Sequence, residues 1–125
     1  MDISSYPGLS LTRAGRILTV MLDRPEQMNA ANEAMHASLA RVFSDCADDR
    51  ETDVVILTGA GKVFSAGGDY GAMQLSIDDP ARFDRLAVEA KRIVFSMLDC
   101  PKPIIAKVNG HAVGFGATLA LFSDI

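Results

Sequence analysis

Short apolar runs of strand length alternate along this chain with longer stretches in which apolar residues recur at helical spacing. Leu9–Thr12 and Ile17–Leu22 predict two strands around the turn Ala14-Gly15-Arg16, and Asp23-Arg24-Pro25-Glu26 ends the second. A helix is expected from the N-cap Asn32 to about Ala47, with Met35, Leu39, Val42, Phe43 and Cys46 on one face. Val54–Thr58 is a continuous apolar run, which predicts a strand buried on both faces. A weak helical segment is expected around Tyr70–Leu75. Asp79-Pro80 supplies a cap and a first-turn proline for the next helix. Phe83, Leu86, Ala87, Ala90, Val94, Met97 and Leu98 mark its expected buried face, and Pro101 and Pro103 stop it. Ile104–Val108 predicts another strand, Ala117 onward a short apolar helix, and Ser123-Asp124-Ile125 the beginning of a further strand. Strands alternating with helices predict an α/β fold with a mostly parallel sheet.

Two glycine-rich loops punctuate this pattern. Each leaves an apolar strand and leads into a helical segment. The first is Val63-Phe64-Ser65-Ala66-Gly67-Gly68-Asp69, and the second is Asn109-Gly110-His111-Ala112-Val113-Gly114-Phe115-Gly116. Glycine lets a backbone approach a ligand closely. The start of a helix offers N–H groups without partners. Two such loops converging on one oxygen would make an oxyanion hole, which suits a carbonyl compound that gains negative charge during reaction.

Composition narrows the classes. With 125 residues, 49 % hydrophobic and 22 % charged, the chain can build one core of its own. A net charge of −4, with lysines and arginines scattered, gives no electrostatic case for nucleic acid. No apolar stretch is long enough to predict a transmembrane helix, and Met1–Gly8 lacks the pattern of a signal peptide. A cytoplasmic location is therefore expected. Cys46 and Cys100 form no CxxC pair and are expected as buried free thiols, though the sequence leaves a disulfide open. His36 and His111 have no ligand-spaced partners, so no metal site is expected.

Several segments in order carry a family resemblance. They are Leu22-Asp23-Arg24-Pro25 followed by Asn29-Ala30, Val55–Gly59, Phe64–Asp69, Pro101–Ala106, and Val108-Asn109-Gly110 through Leu119-Ala120, closed by Ser123-Asp124-Ile125. The set resembles the crotonase superfamily, also called the enoyl-CoA hydratase/isomerase family. The resemblance implies a ClpP/crotonase-type α/β fold, a spiral of ββα units. It also implies that residues 1–125 are a partial acyl-CoA-binding domain, the N-terminal half of a family member, truncated before the C-terminal helices. Catalytic inactivity and marginal folding are expected of the isolated chain.

Further expectations rest on the same resemblance. The substrate is an acyl-CoA thioester, with CoA part of the substrate and no separate cofactor, and the parent is a homotrimer or hexamer. The two oxyanion-hole N–H groups map to Gly68 and Phe115. The phenylalanine ring would narrow the acyl pocket. The first of the two glutamates that activate water in hydratases maps to Thr118, which cannot act as a general base near neutral pH. The second falls beyond Ile125. Gln27 and Met28 fall in one CoA-lining loop, and Ala66, Gly67, Gly68 and Asp69 in the other.

Simpler roles compete with these. Asp69 is expected to cap a helix, Thr118 to bond its own backbone, His111 to be a hydrogen-bonded structural residue, and Asp124 a strand-edge or capping residue. Asp48-Asp49-Arg50-Glu51 reads as a solvated connection. Two other functions stay open: a non-catalytic relative that keeps the fold for acyl-CoA binding or assembly, and a dinucleotide-binding protein. The second rests on the spacing of Gly110, Gly114 and Gly116, which lacks an acidic residue at the required distance.

Overall fold

A computed structural model describes residues 1–125. Four strands form one sheet in the order β1-β2-β3-β4: β1 Leu9–Ala14, β2 Ile17–Leu22, β3 Val54–Gly59 and β4 Ile104–Lys107. β1 and β2 are an antiparallel pair, joined by a turn in which Gly15 takes a φ of 58°. β2, β3 and β4 run parallel. Helix α1 (Glu33–Asp48) makes the first crossover, and α2 (Tyr70–Asp78) with α3 (Pro80–Asp99) makes the second. α4 (Phe115–Leu121) follows β4. No helix is long and apolar enough to cross a membrane.

The expected stripe of α1 is the centre of the core. Met35, Leu39, Val42, Phe43 and Cys46 are all buried, against Leu18, Val20 and Leu22 of β2 and Val55 and Leu57 of β3. Asn32 caps the helix, its side-chain oxygen accepting from Met35 N at 3.0 Å. Burial pushes the Cys46 thiol up to about 12, with the charge of Cys100 adding to it. Both cysteines are free.

Four expectations change. β3 is covered on one face: Val55 and Leu57 are sealed, whereas Val54 and Ile56 are half-buried. On α3, Met97 is buried as expected, but Phe83, Ala87 and Leu98 are exposed and Ile93 is buried instead. The face of α3 that meets α1 carries charge, which the apolar pattern does not register: Arg82 pairs with Glu33 of α1 at 2.8 Å, and Glu89 pairs with His36 of α1. Asp49 is buried rather than solvated, held by Thr52 Oγ1 at 2.6 Å and Arg13 Nη2 at 2.8 Å. Those bonds hold its carboxyl down at about 2. Finally, Ser123–Ile125 is not a strand, yet it lies along β4. Asp124 N donates to Ile104 O at 2.8 Å and Asp124 Oδ2 accepts from Ile104 N at 2.8 Å, in keeping with its expected strand-edge role.

Candidate active site

Three adjacent parallel strands send their carboxyl-terminal loops to the same edge of the sheet. That is where open α/β sheets bind ligands. The loops are Asp23–Asn32 after β2, Ala60–Asp69 after β3 and Val108–Gly114 after β4.

The two glycine loops are stitched together by main-chain bonds. Ser65 N donates to His111 O at 3.0 Å, and Val113 N donates to Ser65 O at 2.9 Å. Glycine is required where they touch. A Cβ on Gly116 would lie 2.5 Å from Ser65 O. Gly67 has a φ of +102°, and a Cβ there would lie 2.9 Å from Val113 O. The loop after β2 joins through Asn29, which is fully buried with a φ of 55°. Its Nδ2 donates to Ala60 O at 2.9 Å and Val63 O at 2.8 Å, and its Oδ1 accepts from Arg24 N at 2.9 Å. Asn109 does the same for the loop after β4, accepting from Gly59 N at 3.1 Å and donating to Gly61 O at 3.0 Å.

This stitching fixes two N–H groups. Ala31 N donates to Gly67 O at 2.7 Å and Asp69 N donates to Ala31 O at 3.1 Å. Alternate groups of an extended segment point to opposite sides, so the intervening Gly68 N–H is turned away from Ala31 and has no partner in the protein. Phe115 opens α4, where first-turn N–H groups have no intrahelical acceptor. Its N–H is likewise without a protein partner. A Cβ on Gly67 would lie 3.5 Å from Phe115 N, so the two glycine loops bring these positions close. Gly68 and Phe115 both line one cavity of about 720 Å³. Its other walls are mostly apolar side chains of α2 and α3, among them Met73, Ile77, Phe83 and Leu86.

The remaining expected site residues divide. Asp69 lines the cavity and caps α2, its Oδ1 accepting from Ala72 N at 3.1 Å. Arg24 Nη1 approaches its other oxygen at 3.5 Å. Gln27 and Met28 lie outside the cavity wall on an exposed 3-10 turn and its cap. Met28 is nevertheless tied to the first glycine loop, because Ala66 N donates to its carbonyl at 2.9 Å. Thr118 does not line the cavity; its Oγ1 donates to Gly114 O at 3.4 Å. His111 departs from expectation: its side chain is exposed and makes no hydrogen bond, and its carbonyl is the group that serves the loop. Asn29 and Asn109 carry no role in the sequence reading, and His36 enters it only as a candidate metal ligand. The asparagines lay inside quoted motifs, next to a proline turn and a glycine, which is the available signal for a residue that organises loops.

The strand order, the crossover helices and the clustered loops define an α/β fold of the crotonase type. The model of the Enoyl-CoA hydratase/isomerase family matches residues 12–125, and the chain belongs to that family. It is 40 % identical over 111 residues to 1,2-epoxyphenylacetyl-CoA isomerase of Escherichia coli, covering 87 % of this chain and 42 % of the relative. To the mouse mitochondrial Delta(3,5)-Delta(2,4)-dienoyl-CoA isomerase it is 34 % identical, covering 97 % of this chain and 40 % of that one. Among solved structures, an enoyl-CoA hydratase/isomerase from Mycobacterium paratuberculosis superposes with a TM-score of 0.94 at 34 % identity. That match covers all of this chain (100 %) and 49 % of the other. The chain thus spans between two-fifths and half of the length of these relatives.

Proposed function

We propose that this chain forms the thioester-binding part of an acyl-CoA-processing enzyme, with the N–H groups of Gly68 and Phe115 as its oxyanion hole. The observation that carries the reading is that both N–H groups are without protein partners on the wall of one largely apolar cavity. A thioester carbonyl oxygen would accept from both. Transfer of a proton from the neighbouring carbon to a base would convert the thioester into an enolate, whose charge falls on that same oxygen. The acyl chain would run into the cavity between α2 and α3. The CoA arm would leave past Ala66, Gly67 and Asp69 and the Gln27-Met28 turn.

Thr118 cannot move the proton near neutral pH, and its hydroxyl is turned back onto Gly114. This favours isomerase-like or other enolate chemistry over hydration. It also supports a second reading, a relative that binds acyl-CoA without turnover. A cytoplasmic location, a trimeric or hexameric assembly and the lack of a separate cofactor belong to the proposal as well.

The test uses the full-length protein that contains this chain. Calorimetry should show acyl-CoA bound in preference to the matched free acid, because the CoA arm adds contacts remote from the chemistry. Equal affinity for the two would overturn the reading. Phe115→Pro removes the N–H at a helix position that tolerates proline. It should lower turnover by about 10²–10³. Phe115→Ala keeps the N–H and should not. Tight thioester binding with no turnover would select the non-catalytic reading.

A further inference from the structure

The cavity wall carries five polar side chains with hydrogen-bonding capacity: Asn32, Glu33, His36, Asp69 and Ser76. Four are committed to the scaffold. Asn32 and Asp69 cap α1 and α2, Glu33 pairs with Arg82, and Ser76 Oγ donates to Ala72 O at 3.0 Å. His36 is different. Its Nδ1 is hydrogen-bonded to Oε1 of Glu89, and its Nε2 has no partner in the protein. Nor is Nε2 sealed off, since the buried side-chain polar atom left without a partner is Arg82 Nε. The His36 ring lies 5.5 Å from the Phe115 ring, centroid to centroid, on the residue whose N–H is a proposed oxyanion donor.

The bond to Glu89 decides which nitrogen carries hydrogen. A carboxylate accepts and cannot donate, so Nδ1 holds the N–H of the neutral ring. Nε2 of that tautomer is a lone pair without a protein partner, on a residue that lines a mostly apolar cavity. An acyl chain of hydrocarbon would cover that lone pair without satisfying it. A chain with a hydroxyl at that depth would donate to it.

We infer that His36, oriented by Glu89, is the specificity-determining residue of this cavity and selects acyl groups that bear a hydroxyl. The inference rests on the acyl-CoA reading given above. It goes beyond that reading by naming the substrate class. His36 touches substrate, whereas Glu89 is a positioning residue that acts through it.

The experiment measures dissociation constants by calorimetry with the full-length protein. The probes are hexanoyl-CoA, its isomers carrying one hydroxyl along the chain, and the corresponding oxo compounds, which accept but do not donate. The native protein should bind the best-placed hydroxyl isomer about tenfold more tightly than hexanoyl-CoA and than its oxo counterpart, the scale of one satisfied hydrogen bond. His36→Leu should abolish that preference, bringing the hydroxyl, oxo and unsubstituted chains to within about twofold of one another. Glu89→Leu removes the acceptor of Nδ1–H and should abolish the hydroxyl preference, whereas Glu89→Gln, whose amide oxygen accepts from Nδ1 as the carboxylate does, should keep it. That rescue is a readout that loss of packing would not produce. Three results would overturn the inference: no hydroxyl preference in the native protein, equal weakening of all probes by His36→Leu, or retained hydroxyl selectivity in Glu89→Leu. Failure of every thioester to bind would instead remove the acyl-CoA reading, and the inference with it.

Discussion

Helices α1 and α3 have similar apolar periodicity and opposite fates. The stripe of α1 is sealed against the sheet, with Leu39, Val42, Phe43 and Cys46 all at 0 % exposure. The N-terminal half of α3 buries no residue; its Phe83 is 60 % exposed, and Leu86 and Ala87 line the cavity. Only the C-terminal half, through Ile93 and Met97, joins the core. The same residue types thus build a rigid floor in one place and a ligand-sized space in the other. A stripe that faces a cavity contributes little to folding and is free to contribute to binding.

The largest expected effect separates the two regions directly. Phe43→Ala should destabilise the purified protein by about 3–5 kcal/mol in denaturant unfolding, since it opens a void in a sealed core. Phe83→Ala should change stability by less than about 0.5 kcal/mol and weaken acyl-CoA binding instead. Comparable destabilisation by both would erase the distinction. Next in size is Asn29→Gly, which keeps the positive φ and deletes the stitches to Ala60, Val63 and Arg24. A loss of about 2–4 kcal/mol is expected from the buried groups it strands.

A smaller effect lies at the far end of the floor, at Asp49. Its carboxyl is held at about 2, below the ordinary value of 3.8. The stabilisation is therefore present above the ordinary value and is lost as pH falls through about 2. Melting curves of the native protein and Asp49→Asn should differ near neutral pH and converge as the solution is acidified across that window. The smallest effect is expected at Thr118→Ala. It should change turnover by less than about tenfold, where a general base would cost about 10²–10⁴. A loss of about a thousandfold with the fold intact would place Thr118 in the chemistry.

The contrast between α1 and α3 also marks what the sequence made legible. The α1 stripe, the mostly parallel sheet implied by alternating elements and both glycine loops could be read because each is a local pattern. The packed face of α3 could not. Periodicity tells which residues share a stripe, but not whether another element covers it. Here the covered face holds Arg82 and Glu89, whose partners Glu33 and His36 are about 50 residues away in the chain. Asp49 was hidden for the same reason: inside an acidic run it looks solvated, and its partner Arg13 comes from β1, 36 residues earlier in the chain. His111 shows the converse error. A histidine within a loop motif draws attention to its ring, whereas the loop uses its carbonyl.

Phe115 lines the cavity, its main-chain N–H has no protein partner, and its ring lies beside that of His36. These two duties sit on one residue but are chemically separable. Any residue except proline retains the N–H, while each side chain reshapes the space beside it. On the proposed oxyanion-hole reading, position 115 would offer evolution a neutral route to new acyl groups, because the charge-stabilising device would be inherited with the backbone while the pocket wall is rewritten one codon at a time.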